Sequence, residues 1–134
     1  MMTATLKDQA ILAMKNSYSP YSKHQVGAAI RLSNGKVYTG CNVENSSYGG
    51  TVCAERVAVW KAVSEEGPGV VIEEVVVSTR ATPPWSPCGM CRQVINEFAA
   101  ANCAVHLVNL TGEVRSFQHV ELFPHGFDRF ALQP

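Results

Sequence analysis

Two short stretches place thiols and a carboxylate where helices are predicted to begin. Cys53 and Glu55 head the run VCAERVAVWKAV, and Cys88 and Cys91 open the run CGMCRQVINEF. Two cysteines separated by two residues are either a redox dithiol or half of a zinc site. The partial positive charge of a helix N-terminus lowers thiol pKa values, which favours thiolate ligands. Three thiolates would leave Zn²⁺ one ligand short of a tetrahedron, and a position left open for water is typical of a catalytic site.

Such a site also needs positive charge and a group that moves protons. Zn²⁺ bound to three thiolates carries a net negative charge, which weakens its ability to acidify water. Arg56, Arg92 and the two helix N-termini are predicted to compensate, the alternative for either arginine being a solvated helix face. Glu55 is predicted to be the general acid and base. The alternative for Glu55 is an acidic residue that interacts only with the helix dipole.

The hydrophobic pattern predicts the elements that position these residues. Asn34-Gly35 is a strong hairpin signal, and the prolines of RATPPWSP exclude a strand there. Alternating helices and apolar strands imply an α/β layered fold with parallel crossovers, and 134 residues imply a single domain, 1–134. The predicted elements are a helix near Leu6–Met14, two strands in VGAAIRLSNGKVYTGCNVEN, a helix from Cys53 to about Glu66, a strand in VVIEEVVVST, a helix from Cys88 to Ala101, a strand in CAVHLVNL, a short strand in EVRSF, and an irregular tail.

Composition narrows the class of protein. Eleven basic and eleven acidic residues give a formal net charge of zero, so nothing favours nucleic acid as a partner. Lys7, Asp8 and Lys15 interrupt the apolar pattern of the N-terminal segment, which speaks against an export signal. No apolar run approaches the ~18 residues of a membrane span. A cytoplasmic protein is expected, in which the five cysteines are thiols or metal ligands.

The chain resembles the small zinc-dependent cytidine deaminases over most of its length. The motifs that carry the resemblance are SPYSKHQVGAAI, TGCNVENSSYGGTVCAER, SPCGMCRQVINEF and LFPHGF, from about Ser19 to Phe127. They include the C-x-E and P-C-x-x-C elements of zinc deaminases. The resemblance implies a three-layer α/β/α fold with a mixed five-stranded sheet. It also implies a homotetramer with shared active sites.

The resemblance further implies the reaction and its central residues. Cytidine and deoxycytidine would be hydrolysed to uridine and deoxyuridine in pyrimidine salvage. Cys53, Cys88 and Cys91 would hold one Zn²⁺ per subunit. Glu55 would carry protons to N3 and then to the 4-amino group.

Substrate contacts are also implied by the resemblance. Asn42 and Glu44 would bind the ribose 3′-hydroxyl, and the backbone N–H of Ala54 would read O2 of the base. The Ser86 carbonyl would accept a hydrogen bond from the leaving ammonia. Phe127 would stack on the pyrimidine of a neighbouring subunit.

Other residues depart from the pattern or lie at its edges. Many relatives have Phe-Pro where this chain has His24-Gln25, and Trp85 is bulkier than the small or aliphatic residue usual there. We expect His24 and Trp85 to reshape the region around the 4-substituent, so that N4-modified cytidines are accepted. The alternative for His24 is a partly exposed side chain without a role. Tyr48 resembles a residue near subunit contacts, and His125 would border the pocket.

Three alternatives and several structural residues complete the predictions. The alternatives are a deaminase of another aminopyrimidine nucleoside such as blasticidin S, a non-enzymatic zinc module with a closed site, and a thiol-disulfide oxidoreductase using Cys88 and Cys91. Cys41 and Cys103 are predicted to be buried core thiols. Core or surface packing is expected for three histidines: His106, His119 and His125.

Overall fold

A computed structural model describes residues 4–133. The element order follows the predicted sequence of one helix, a hairpin, and then alternating helices and strands. The elements are α1 Ala4–Met14, β1 Gly27–Leu32, β2 Val37–Cys41, α2 Ala54–Glu66, β3 Ile72–Thr79, α3 Gly89–Phe98, β4 Ala99–Asn109, β5 Val114–Gln118 and α4 His119–Leu122. Two short 3₁₀ turns lie at Tyr48–Gly50 and Arg129–Leu132.

The five strands form one mixed sheet in the order β2-β1-β3-β4-β5. β3 and β4 are parallel, and the other neighbouring pairs are antiparallel. The parallel pair requires a crossover, and α3 provides it. Gly35 adopts a φ of 88° in the turn between β1 and β2, as the Asn34-Gly35 signal predicts. The mixed five-stranded sheet is confirmed.

Helices cover both faces of the sheet, which gives three layers. On one face Leu6 and Ala10 of α1 pack on Ala29, Val76 and Val108. On the other face a larger core joins side chains of α2 and α3 to the strands. Its α2 and α3 members include Ala58, Val59, Ala62 and Ile95, and its strand members include Ile30, Leu32, Val75, Val77, Val105 and Leu107.

A glycine in β2 sets how closely α2 approaches the sheet. A Cβ atom at Gly40 would lie 2.5 Å from the Ala54 carbonyl oxygen and 2.7 Å from the Ala58 nitrogen. Real Cβ atoms essentially never come this close to backbone. The first turn of α2 therefore rests directly on the backbone of β2, and this contact fixes the position of the residues at the start of α2.

Two boundaries differ from the sequence-based expectation. The helix predicted from Cys88 to Ala101 ends at Phe98, and β4 begins at Ala99. Alanine favours helix, but Ala99 pairs with Ile72 of β3, and this tertiary pairing overrides the local preference. The tail is not wholly irregular, because the Gln118 and Glu121 side chains form a capping box that starts α4. Within residues 4–133, no helix is long and apolar enough to cross a membrane.

Candidate functional site

The three predicted metal ligands meet at the N-termini of two neighbouring helices. Cys53 is the N-cap residue of α2, and Cys88 is the N-cap residue of α3. Cys91 lies in the first turn of α3, where its backbone N–H donates to the Cys88 sulfur. The three Sγ atoms lie within 4.8 Å of one another, and those of Cys53 and Cys88 are 3.7 Å apart. Two separate motifs therefore form one cluster.

The cluster fits a tetrahedral divalent metal. Zinc–sulfur bonds of about 2.3 Å at tetrahedral angles separate two sulfurs by about 3.8 Å, close to the 3.7 Å between Cys53 and Cys88. All five cysteines of the chain carry free thiols, so none of these sulfurs is tied up in a disulfide. Three cysteine ligands leave one position open, which is the arrangement of a catalytic rather than a structural zinc.

Proton affinities within the cluster show why a cation suits it. Hydrogen bonds from Cys91, Arg56 and Cys88 lower the pKa of Cys53 to about 5, and the bond from Cys91 contributes most. Burial of the Cys53 thiol opposes this shift. The interaction with Cys53 and burial raise the pKa of Cys91 above its ordinary value. Three sulfurs this close thus repel one another as thiolates. A divalent cation removes that repulsion and allows all three to be deprotonated.

Glu55 is buried at the base of the same site. Its side chain is 3% exposed and lines a cavity of about 270 Å³ together with Cys53 and Cys88. Burial, with a contribution from the charge of Cys53, raises the pKa of Glu55 to about 7. A buried carboxyl group of this kind can both give and take a proton near neutral pH.

Arg56 places a positive charge directly on the cluster. Its Nη2 lies 3.5 Å from the Cys53 sulfur, and its Nη1 lies 2.8 Å from the Met90 sulfur. The guanidinium carbon lies 5.8 Å from the centre of the Trp60 ring, one helical turn further along α2. The arginine is thus held between a thioether and an aromatic ring while it faces a thiolate.

Arg92 donates hydrogen bonds mainly to backbone carbonyl groups near the site. Its Nε donates to the Pro87 carbonyl at 2.8 Å, and its Nη1 donates to the Leu122 carbonyl at 3.0 Å. Its Nη2 donates to the Ser86 hydroxyl at 2.8 Å. These contacts tie the loop that precedes Cys88 to α4, so Arg92 fixes the loop rather than touching the sulfurs.

The cavity extends from the sulfur cluster to two polar side chains after β2. Asn42 and Glu44 alternate along an extended segment and both line the cavity. The full lining is Ser22, His24, Val26, Asn42, Glu44, Thr51, Val52, Cys53, Glu55, Val77, Thr79, Trp85, Ser86 and Cys88. Its volume approaches the lower end of small-molecule sites, which span about 300–1,000 Å³. The cavity therefore suits one small ligand with one end at the thiols and the other at Asn42 and Glu44.

Both polar side chains are held in place by the preceding loop. Asn42 accepts from the Val26 N–H at 2.9 Å and donates to the His24 carbonyl at 2.8 Å. Glu44 accepts from the backbone N–H of Tyr21 at 3.0 Å, from the N–H of Ser22 at 3.1 Å, and from the Ser22 hydroxyl.

Ser22 has the largest effect on the carboxyl group of Glu44. The hydrogen bond from its hydroxyl is the main cause of the lowered pKa of Glu44. Sequence reasoning missed Ser22, although it lies in the quoted motif SPYSKHQVGAAI. Serines are common in loops, so the residue type alone gave no signal.

His24 and Trp85 form one wall of the cavity. Their ring centres are 5.0 Å apart and the rings meet edge to face at 69°. Both residues are exposed, Trp85 to 45%. His24 and Trp85, which sequence analysis predicts to reshape the same region, are therefore in contact with each other.

Three predicted residues lie outside the cavity of their own chain. Phe127 is 56% exposed, and its carbonyl accepts from Gln93 at 2.8 Å and from Asn96 at 3.1 Å. Tyr48 is 77% exposed, with its ring centre 6.0 Å from that of Tyr21. His125 is exposed, with a φ of 57°.

Two other histidines are buried core residues, as expected. The Nδ1 of His106 lies 2.7 Å from the Ser116 hydroxyl, and its Nε2 lies 3.1 Å from Glu74. The sequence alone does not identify Glu74 as a partner of this histidine. His119 is 3% exposed, with its Nε2 3.0 Å from the Asn96 side-chain oxygen.

The remaining two cysteines differ in burial. Cys103 is 1% exposed, and burial raises its pKa to about 12. Cys41 is half-buried rather than buried, and burial raises its pKa to a smaller extent. Both thiols are therefore protonated at neutral pH and pack as small apolar side chains.

Comparison with known proteins relates this chain to deaminases that bind zinc. Residues 2–107 match a family model described as the cytidine and deoxycytidylate deaminase zinc-binding region. The chain is 46% identical to a cytidine deaminase of Halalkalibacterium halodurans over 119 residues, which cover 89% of each protein. It is 35% identical to a blasticidin-S deaminase of Bacillus cereus over 81% of this chain and 80% of that one.

Solved structures show the same fold. The crystal structure of a cytidine deaminase from Burkholderia pseudomallei matches with a TM-score of 0.87 and 40% identity. The match covers 95% of this chain and all of the other.

Proposed function

This chain belongs to the zinc-dependent cytidine deaminase family, and we propose that it hydrolyses cytidine and deoxycytidine to uridine and deoxyuridine with release of ammonia. The observation that carries this function is the meeting of three thiols with the buried carboxyl group of Glu55 at one end of a nucleoside-sized cavity. When bound by Cys53, Cys88 and Cys91, Zn²⁺ supplies a Lewis acid with one position for a water whose pKa it lowers.

Proton transfer is the work of Glu55. Its carboxylate takes a proton from water and delivers it to N3 of the base as the water oxygen bonds to C4. It then takes the second proton of that water from the hydroxyl group at C4 and delivers it to the 4-amino nitrogen as the C4–N4 bond breaks. The N–H of Ala54 belongs to the first turn of α2, where backbone donors have no acceptor within the helix. It is therefore free to donate to O2. The Ser86 carbonyl, in the loop held by Arg92, accepts from the leaving ammonia.

The ribose binds at the other end of the cavity. A carboxylate has about four acceptor positions, and Glu44 receives three donors from the loop. One position remains for a sugar hydroxyl. The amide nitrogen of Asn42 has two hydrogens, one of which bonds the His24 carbonyl. The other is available to donate to the same 3′-hydroxyl.

A homotetramer would complete the site. Phe127 does not line the cavity of its own chain and is exposed, and two side-chain hydrogen bonds, from Gln93 and Asn96, hold its backbone carbonyl. An exposed ring on a held backbone suits stacking on the pyrimidine of a neighbouring subunit. Tyr48 is also largely exposed, in the segment that precedes α2, and suits a subunit contact.

Subunit sharing has a direct test. Glu55→Gln and Phe127→Ala proteins are each expected to have little activity alone. If Phe127 acts in a neighbouring site, mixed tetramers refolded from both recover activity, because some sites receive an intact Glu55 and an intact Phe127. Light scattering should show four chains. A monomer, or mixtures no more active than the sum of their parts, would refute shared sites.

We assign the whole chain, 1–134, to one catalytic domain acting in pyrimidine salvage in the cytoplasm. Five free thiols fit a reducing compartment.

The substrate is tested on protein of measured zinc content. Cytidine, deoxycytidine, cytosine and blasticidin S are compared by the loss of ammonia, with and without a chelator. The proposal expects turnover of both nucleosides that ceases on zinc removal, and weak turnover of cytosine, which lacks the sugar that Glu44 binds. Faster turnover of blasticidin S than of cytidine would transfer the assignment to that antibiotic.

A further inference from the structure

A second cavity adjoins the nucleoside site. It has a volume of about 190 Å³ and lies behind the His24–Trp85 wall, because both of these residues line both cavities. Its other lining residues are Lys23, Gln25, Arg80 and Ala81. A single pair of rings thus separates a space for the substrate from a space with no assigned ligand.

The wall is built so that it can open. His24 and Trp85 lie in loops, touch each other edge to face and are both exposed. Rotation of either exposed ring about its side-chain bonds would join the two cavities without moving a helix or strand. Lys23, next to His24, has a φ of 64°, an uncommon conformation for a residue with a side chain. Such backbone conformations are concentrated at ligand clamps and active sites.

The second cavity lies at the amine end of the substrate. Trp85 immediately precedes Ser86, whose carbonyl faces the departing nitrogen in the proposed function. Arg80 and Ala81 directly follow β3, whose last residue, Thr79, lines the nucleoside cavity. A group attached to N4 is therefore the part of a substrate that lies nearest the wall.

The chemistry of the lining selects an anion. Lys23 and Arg80 are cationic, and the Arg80 Nη2 donates to the Gln25 side-chain oxygen at 3.2 Å. Among the lining residues of this cavity, all of them in the described part of the chain, none is acidic. An uncompensated pair of cations beside a side-chain amide favours a carboxylate over a neutral chain.

We propose that the enzyme deaminates N4-acylcytidines whose short acyl chain ends in a carboxylate, with the chain lying in the second cavity against Arg80 and Lys23. This inference rests on the proposed function, since the same site does the chemistry. Water oxygen forms a bond to C4 and the C4–N4 bond breaks. One proton from water ends on N3 and the other on the leaving nitrogen. The products are uridine and the primary amide of the acyl chain.

The test compares three substrates. They are cytidine, N4-(3-carboxypropanoyl)cytidine, and its analogue in which the carboxylate is replaced by a carboxamide. Uridine formation and release of the intact primary amide are followed by chromatography. We expect the carboxylate substrate to be turned over and its kcat/KM to exceed that of the carboxamide by about tenfold, as for a charge-assisted hydrogen bond.

Two variants locate the effect. Arg80→Met keeps an unbranched side chain of four heavy atoms but removes the charged guanidinium group, and it should lower kcat/KM about tenfold for the carboxylate substrate while leaving cytidine and the carboxamide unchanged. Arg115→Met, at an exposed arginine of β5, is the matched control and should change nothing.

The possible results separate the two proposals. If cytidine itself is not deaminated, the proposed function fails. If cytidine is deaminated but neither N4-acyl substrate is, or if cytidine rather than uridine is released from them, the inference fails alone. Equal rates on the carboxylate and the carboxamide, unchanged by Arg80→Met, would also overturn it.

Discussion

Replacing Arg56 with glutamine should weaken zinc binding while leaving the fold intact. The arginine donates to the Cys53 sulfur from 3.5 Å and packs between Met90 and the Trp60 ring. Glutamine keeps a hydrogen-bond donor and some of the length, but it removes the positive charge that offsets three thiolates. The expected consequence is a larger zinc dissociation constant with an unchanged circular dichroism spectrum.

The magnitude follows from the contact. Two unit charges at this distance attract by about 4–5 kcal/mol at an effective dielectric constant of 20. Arg56 is partly exposed, so the net contribution is closer to that of a charge-assisted hydrogen bond, about 1.5–3 kcal/mol. That corresponds to an increase of about 10- to 150-fold in the zinc dissociation constant.

Trp60 allows a second, smaller step to be measured. A cation–π contact at an exposed site contributes about 0.5–1 kcal/mol. Trp60→Leu should therefore raise the zinc dissociation constant about two- to fivefold, and Trp60→Phe should recover part of the loss. If the ring acts by holding the guanidinium, Trp60→Leu has no further effect once Arg56 is replaced.

The assay is competition for zinc against a chromogenic chelator, under reducing conditions at fixed pH. Phe130→Leu is the matched control, because Phe130 is also an exposed ring that contacts an arginine, with its ring centre 5.1 Å from the Arg129 guanidinium carbon. In the sequence it is distant from the three cysteines of the cluster. Zinc affinity in Arg56→Gln equal to that of the unaltered protein would refute the charge argument. Additive effects of Arg56→Gln and Trp60→Leu would refute the role of the ring.

Three further predictions concern the carboxyl group of Glu55, the packing of α2 and the buried histidines. Glu55→Gln should retain zinc, as measured by metal analysis, and its kcat should fall by at least about 10⁴-fold, the upper end for a general acid and base. A variant that keeps one tenth of the original activity would exclude proton transfer by Glu55. Gly40→Ala should lower the melting temperature and the zinc affinity together, since its Cβ would clash with the first turn of α2, whereas Gly69→Ala, with open space around it, should do neither. Burial lowers the pKa values of His106 and His119, so the unfolded chain binds more protons, and their contribution to stability is complete above about pH 6.5 and declines below it. Urea unfolding between pH 5 and 8 should show this decline, and a slope in His119→Gln as steep as in the unaltered protein would exclude that residue as a source.

Local signals in the sequence predicted most of the fold. The Asn34-Gly35 pair specifies a turn, and β1 and β2 flank it. The strand in VVIEEVVVST and the crossover helix after it follow from burial on both faces and from the proline-rich loop. These features depend on neighbouring residues, so a single sequence contains the information.

The metal cluster could be predicted for a different reason. Cys53 lies far along the chain from Cys88 and Cys91, but each motif begins a helix, and parallel strand packing brings helix N-termini to one edge of a sheet. The residue types made the prediction of a metal site possible, because thiols and a carboxyl group at the starts of two helices contribute little to packing but are typical of metal binding and proton transfer.

Contacts between loops and across strands could not be predicted. Glu74 meets His106 because Val76 pairs with His106 in the parallel register of β3 and β4. The contact of His24 with Trp85 likewise requires two loops whose paths depend on the whole fold. The prediction of the end of α3 was wrong, because the long-range pairing of Ala99 with Ile72 in the sheet ends the helix at Phe98.

The placement of Cys53 and Cys88 at helix N-cap positions links metal occupancy to local folding. At Cys88 the sulfur that would bind the metal also accepts from the Cys91 N–H, so the free energy of metal binding contributes to ordering the first turn of α3. Cys53 holds the N-cap position of α2 without a capping hydrogen bond from its side chain, so a shared metal would be the link between the start of α2, beside Glu55, and the start of α3. Amide hydrogen exchange at these two helix starts should therefore become faster when the metal is removed.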